Sequence, residues 1–180
     1  MAHYLNMAID KYNGVSTDLC EAECVVLGMY TADDDANAFY KELNAATRKQ
    51  QYIPYHVFSS VLLSAVTKLA STSPLKPGTT VFRGLGSPVH VPTEVPKSVY
   101  FDSFLSTSTS LDLAKNKFAD GGLLMTITLN DTSGAAQLSG LSLFKEEEVL
   151  IHPFMAFDVI KFSSTEMELV TSKNQVFTSG

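Results

Sequence analysis

At 180 residues the chain is long enough to bury a sizeable core in one domain, and its 45% hydrophobic and 18% charged residues exclude a disordered or fibrous class. A formal net charge of -6 offers no basic footprint for phosphate backbones, so nucleic acid is disfavoured as a main partner. The longest apolar-rich stretch, 57–70, is broken by Ser59, Ser60, Ser64, Thr67 and Lys68 and falls short of the roughly 20 residues a spanning helix needs, so no membrane span is expected.

The opening MAHYLNMAIDKYNG lacks the basic head, sustained apolar core and cleavage pattern of a signal peptide, which leaves an intracellular protein or a mature fragment. DLCEAECVVLGMY follows and reads as helical, with Cys20 and Cys24 at i, i+4. Neighbouring helical turns favour two thiols on one face over a disulfide, and no further Cys or nearby His completes a zinc set. They read as reduced thiols in or near the core. In ANAFYKELNAATRKQ, the 3 to 4 residue spacing of Phe39, Leu43 and Ala46 marks a second helix. Asp33, Asp34 and Asp35 before it suit a cap and the helix dipole better than a metal. A third helix spans PYHVFSSVLLSAVTKLA, with Pro54 in its first turn and one apolar stripe of Phe58, Val61, Leu62, Ala65 and Leu69.

STSPLKPGTT ends the helical part, and the period changes to that of strands. TTVFRG is short and β-branched, SVYFDSFLSTSTS is extended, and LLMTITL alternates Leu123, Met125, Ile127 and Leu129 against Thr126 and Thr128. Between the last two, LDLAKNKFAD reads as a single helix capped by Ser110. DTSGAAQLSGLSLF is a long small-residue connection, of a kind more often functional than structural. NDT at Asn130 matches a glycosylation acceptor only weakly without a secretory signal. FDVIKFSSTEMELVTS reads as a hairpin around Ser163, Ser164 and Thr165. Helices first and strands later give an α+β fold.

FKEEEVLIHPF places three carboxylates before an apolar strand. Alternation in a strand puts Glu146 and Glu148 on one face and turns Glu147 away. Arg83 in VFRG, Ser106 with Thr107 and Ser108 in FLSTS, and the glutamates are each weak signals alone: a surface ion pair, an edge strand or cap, a solvated face. Taken together in this order they resemble the arginine, serine, glutamate class of ADP-ribosyltransferases, specifically the animal-type, arginine-modifying mono-ADP-ribosyltransferases with a Glu-x-Glu pair. FYKELNAATR and YIPYHVFSSVLLSAVTKL also look like the region before the first motif in those enzymes, so the likeness runs from about Phe39 to Val159.

The resemblance implies a single catalytic domain over 1–180: a helical part, 1–75, packed on a β-rich NAD-binding core, 76–180, of two small, mostly antiparallel sheets with NAD in the cleft between them. It implies transfer of ADP-ribose from NAD to an arginine of a protein acceptor, with inversion at the ribose carbon, by a monomer that needs no metal. By the same resemblance Glu148 is the catalytic anion and bonds a ribose hydroxyl of NAD, Ser106 orients it and is itself part of the NAD site, and Glu146 positions the acceptor arginine and takes its proton. Arg83 holds the phosphate and ribose portion of NAD, Gly84 lets backbone approach the nicotinamide amide, and Thr107 and Ser108 complete the NAD site. Phe118, about a dozen residues after Ser106, corresponds to the aromatic residue set on the nicotinamide ring in family members; core packing of a helix explains it equally well. Leu143 or Phe144, in the loop before the glutamates, corresponds to the acceptor-recognition turn. His152 stands where many relatives have an extra proline and reads as strand-end packing; His3, His56 and His90 have no companions for a metal or triad. The two cysteines do not reproduce the paired disulfides of secreted animal-type relatives. Two other readings are kept: an NAD glycohydrolase, and a silent binding module with the same fold.

Overall fold

The computed structural model describes residues 18–32, 39–49, 51, 53–115, 121–138, 147–153 and 155–173. Three helices come first: α1 (Glu21–Thr31), α2 (Phe39–Arg48) and α3 (His56–Thr72), the last entered through a 3-10 turn at Ile53–Tyr55 that contains Pro54. Then follow β1 (Thr79–Leu85), β2 (Ser98–Tyr100), β3 (Leu105–Ser108), the short α4 (Leu111–Leu113), β4 (Leu123–Leu129), β5 (Ala135–Gln137), β6 (Glu148–Ile151), β7 (Ala156–Phe162) and β8 (Glu166–Thr171). Asp33, Asp34 and Asp35 lie outside the described residues.

The strands form one hydrogen-bonded order, β2-β7-β8-β4-β1-β3-β6-β5, antiparallel throughout except for the parallel β4–β8 pair. The α+β class is as expected, with one difference: the two halves of the β core are joined. The joint is a single pair between β1 and β3, Phe82↔Ser108. A one-residue joint leaves the strands unpaired on either side of it, and a cleft opens there.

Two clusters bury the apolar residues on opposite faces. On one side, Cys24, Leu27 and Tyr30 of α1, Leu43 of α2, and Leu62, Val66 and Leu69 of α3 pack with Phe104, Ala136, Leu138 and Leu150. On the other, Val81, Leu123, Met125, Ile127 and Leu129 pack with Leu105, Val149, Ile151 and Phe157. β6 is thus covered on both faces, which is why EVLI carries an uninterrupted apolar run instead of alternating. Its Leu150 meets the helices while Val149 and Ile151 meet the second cluster. β4 shows the opposite case, with its odd-numbered residues buried and its even-numbered ones half-buried, as its alternation indicates.

Three local differences from the sequence reading have physical causes. AAQ, inside the stretch read as a connection, is strand β5, because its small side chains let the chain pair with β6 beneath α3. Cys20 is the exposed N-cap of α1 and not a core thiol; only Cys24 is buried, and both are free. Ile53–Thr72 is, by length and composition alone, apolar enough to cross a membrane, which the shorter window 57–70 did not reveal. Here its stripe of Leu62, Ala65, Val66 and Leu69 is buried in the core.

α1 and α3 are also tied through a buried carboxylate. Glu23 accepts from the Ser64 hydroxyl at 2.6 Å, from Lys68 Nζ at 2.9 Å and from the Cys20 backbone N–H at 2.9 Å. Burial by itself raises the Glu23 pKa, but these donors outweigh it and hold the group down to about 2. A carboxylate whose folded pKa lies below its unfolded value stabilises the fold above the ordinary carboxylate range and loses that contribution as pH falls toward 2. Glu23→Ala should cost roughly 2 kcal/mol at neutral pH, and its stability should fall less steeply than the parent's on acidification from about pH 4.5 to about 2. Urea titrations across that range check both; parallel curves for the two proteins contradict the linkage.

Gly122 sits where a Cβ would run into the Leu85 carbonyl oxygen and stand 2.5 Å from the Ser87 backbone nitrogen. Neither backbone group can swing aside, so Gly122→Ala should destabilise by about 3 kcal/mol or more. A melting temperature unchanged by the substitution contradicts this.

Candidate active site

The cleft beside the Phe82↔Ser108 joint is lined by Phe82, Arg83 and Gly84 of β1, Ser106, Thr107 and Ser108 of β3, and Glu148 of β6. Tyr30, Thr31 and Tyr40 close it from the helices, and Leu113 and Ala114 from the segment after β3. Its volume is about 150 Å³.

Register creates the central contact. In the antiparallel β3–β6 pair Ser106 lies opposite Leu150 and Ser108 opposite Glu148, so Ser106 and Glu148 are diagonal neighbours on the face that Leu150 turns to the helices. The Ser106 hydroxyl donates to Glu148 Oε1 at 2.7 Å, a charge-assisted bond that fixes the carboxylate's orientation. Glu148 is only 6% exposed, so its charge sits at the buried end of the cleft. Thr107 points its hydroxyl the other way, donating to the Val149 carbonyl at 2.7 Å. That bond clips the two strands together beside the serine. The Ser108 hydroxyl accepts from the Ser110 N–H at 3.0 Å and turns the chain out of β3, where Ser110 caps α4 as its sequence indicates.

Arg83 reaches from β1 across the gap, and its Nη1 donates to the Ser106 carbonyl at 2.6 Å. Partial burial lowers its pKa from the usual very high value, with the nearby Tyr30 and Tyr40 phenols and Glu148 acting in the opposite sense. An arginine keeps its charge under such a shift. Among the described residues the cleft therefore holds one fixed cation and one fixed anion, each tied to the same serine through a different atom.

A family model described as NAD:arginine ADP-ribosyltransferase matches residues 8–175 of the chain. The chain belongs to the NAD:arginine ADP-ribosyltransferase family. Human ecto-ADP-ribosyltransferase 5 is 31% identical over 150 residues, covering 77% of this chain and 49% of that protein. The NAD(P)(+)--arginine ADP-ribosyltransferase 2 of Gallus gallus is 31% identical over 149 residues, covering 78% of this chain and 44% of that one. The chain thus spans about half the length of these curated relatives. Among solved structures, the eukaryotic mono-ADP-ribosyltransferase ART2.2 superposes with a TM-score of 0.74 at 22% identity, over 99% of this chain and 82% of that one. A variant of ART2.2 in complex with NAD gives 0.77 at 21% identity, over 99% and 80%. These likenesses confirm the ADP-ribosyltransferase fold.

Arg83, Gly84, Ser106, Thr107, Ser108 and Glu148, all singled out in the sequence, meet in this one cleft of the ADP-ribosyltransferase fold. Glu146 and Phe118, with Leu143 and Phe144, lie outside the described residues. His152 donates its backbone N–H to Gly134 at 2.9 Å and holds the β5–β6 edge, as strand-end packing requires. The sequence reading missed Tyr30, Thr31 and Tyr40, because a helical tyrosine that packs with the core, or a threonine in the last turn of a helix, gives no sign that it also faces a cleft. Their position at the C-terminal end of α1 and the N-terminal end of α2 is the one available signal, since helix ends face clefts more readily than helix middles do.

Tyr30 also links the helices to the site strand. Its hydroxyl donates to the Phe104 carbonyl at 3.3 Å, just before β3, and accepts from Asn44 Nδ2 at 3.1 Å. Burial raises its pKa, so the phenol stays a neutral donor. Tyr30→Phe leaves a buried amide donor unpaired and should cost about 1–2 kcal/mol in a denaturant titration. A midpoint shift within error contradicts the link.

Proposed function

We propose that this chain forms a single catalytic domain over 1–180 that transfers ADP-ribose from NAD to an arginine side chain of a protein acceptor, releasing nicotinamide. The observation that carries the reading is the buried Glu148 carboxylate, oriented by Ser106 and facing a cleft that Arg83 also lines. Breaking the bond between nicotinamide and ribose builds positive charge on the ribose, an oxocarbenium-like state of the kind carboxylates stabilise in glycosidases. Glu148 supplies a preorganised anion for that charge. Arg83 offers a planar donor fork suited to phosphate oxygens, and Gly84 leaves its backbone open to the nicotinamide amide. Thr107 and Ser108 form the wall beside the ribose.

The departing nicotinamide takes the electron pair of the broken C–N bond, and a nitrogen of the acceptor guanidinium forms the new bond at the opposite side of the ribose carbon. That guanidinium enters protonated, since arginine is effectively always charged. Glu146 orients it and accepts the proton that the nitrogen loses as the bond forms. Phe118 covers the nicotinamide ring. The domain works as a monomer on NAD and a protein acceptor, without nucleic acid.

Incubation with labelled NAD and agmatine, an arginine analogue, tests the reading. Glu148→Ala should lower both nicotinamide release and transfer by about a hundredfold or more. Glu146→Ala should suppress transfer and spare part of the hydrolysis. Equal turnover in the parent and the Glu148 variant would overturn the role of the carboxylate, and a parent that binds no NAD favours a silent module.

A further inference from the structure

The chain holds eleven lysines and two arginines, Arg48 and Arg83. For a member of an arginine-modifying family, that is a short list of acceptors within its own sequence. Arg83 is not available as one, because its side chain crosses the cleft and its Nη1 donates to the Ser106 carbonyl at 2.6 Å. Arg48 is placed quite differently. It is exposed in the last turn of α2, and its guanidinium forms no hydrogen bond or ion pair with any of the described residues. Tyr40, at the start of that helix, lines the cleft, and Arg48 stands at the other end, about 12 Å along the axis at about 1.5 Å per residue. Its charge still reaches the site: burial first, and repulsion from Arg48 in addition, lower the pKa of Arg83.

We propose that Arg48 is the self-acceptor of this enzyme, the one arginine of the chain that a second copy modifies with ADP-ribose in a passing encounter. The proposal rests on the transferase reading above and names an acceptor for that same site. NAD alone balances the step. The bond between the ribose carbon and the nicotinamide nitrogen breaks and nicotinamide leaves with its electron pair, while a guanidinium nitrogen of Arg48 bonds that carbon and loses one proton. Two features fit Arg48 to the role. A guanidinium without a carboxylate partner has no ion pair to give up on entering a cleft that ends in an anion, whereas a paired one would leave a charge behind it uncompensated. The helix that carries it is also anchored, with Leu43, Asn44 and Ala46 buried. Arg48 therefore projects from a fixed edge and stays outside the lining of its own cleft, which presents it to the cleft of another molecule. The lysines do not compete, because a compact ammonium lacks the planar donor fork of a guanidinium.

The test uses a small amount of the parent, carrying an arginine-free tag that separates it by size, with NAD labelled in its adenosine part. Three acceptors are offered in excess: Glu148→Ala, the double variant Glu148→Ala/Arg48→Lys, and agmatine. Because both protein acceptors lack Glu148, any effect of Arg48 on turnover stays out of the result, and circular dichroism checks that both are folded. Glu148→Ala should gain label, which mass spectrometry places on the peptide between Lys41 and Lys49, and the double variant should gain about a tenth of it or less. Label on Arg83, equal label on the two protein acceptors, or an agmatine-modifying parent that labels neither overturns Arg48 as the acceptor and leaves the transferase reading standing. A parent that modifies neither agmatine nor protein removes the transferase reading, and this proposal with it.

Discussion

The site depends on a bond between two strands that are neighbours in the sheet but 42 residues apart in the chain: Ser106 to Glu148. It exists because the β3–β6 register sets the two residues on one diagonal of one face. A slip of one residue would turn Glu148 toward the second cluster and bring Val149 to the cleft. The register is guarded by what lies behind it. Leu150 is fully buried against the helices, Val149 and Ile151 are buried on the other side, and Thr107 bonds the Val149 carbonyl. The apolar run after the glutamates therefore serves the charge that precedes it.

The helical part supplies the other wall of the cleft, and it is joined to the strands by polar contacts as well as by packing. Tyr30 spans from Asn44 to the Phe104 carbonyl, its ring tilted against Phe104 at a centroid distance of 5.7 Å. Behind it, Glu23 ties α1 to α3. Motion of α1 relative to the sheet would disturb the cleft wall and the entry to β3 together. Arg83 completes the frame from β1, whose one-pair joint with β3 leaves the space that its side chain crosses.

Much of this was legible in the chain. The alternation of Leu123, Met125, Ile127 and Leu129 marks β4, and strand parity separates Glu148, which meets Ser106 on the face of Leu150, from Glu147, which turns to Thr109. The ordered motifs at Arg83, Ser106 and Glu148 point to one cleft. Other features were hidden for physical reasons. β5 is made of Ala135, Ala136 and Gln137, whose strand state comes from pairing with β6 and not from their own preference. The Phe82↔Ser108 joint is a matter of long-range register, which no local pattern encodes. Tyr30 and Tyr40 pack with the helical cluster and line the cleft at the same time, so core packing accounts for them without the second role. The partner of Glu147 is likewise invisible, because a threonine after a strand has many uses and only the ladder brings it opposite that glutamate.

The central proposal is that Ser106, which also lines the proposed NAD site, contributes to turnover above all by orienting Glu148. Ser106→Ala, examined by calorimetry for NAD affinity and by steady-state assay for nicotinamide release, separates the two. The expected result is an NAD Kd within about threefold of the parent's and a kcat lower by roughly tenfold to a hundredfold, the loss of one charge-assisted hydrogen bond felt mainly at the transition state. A Kd that weakens by as much as kcat falls, or a kcat that does not change, contradicts it.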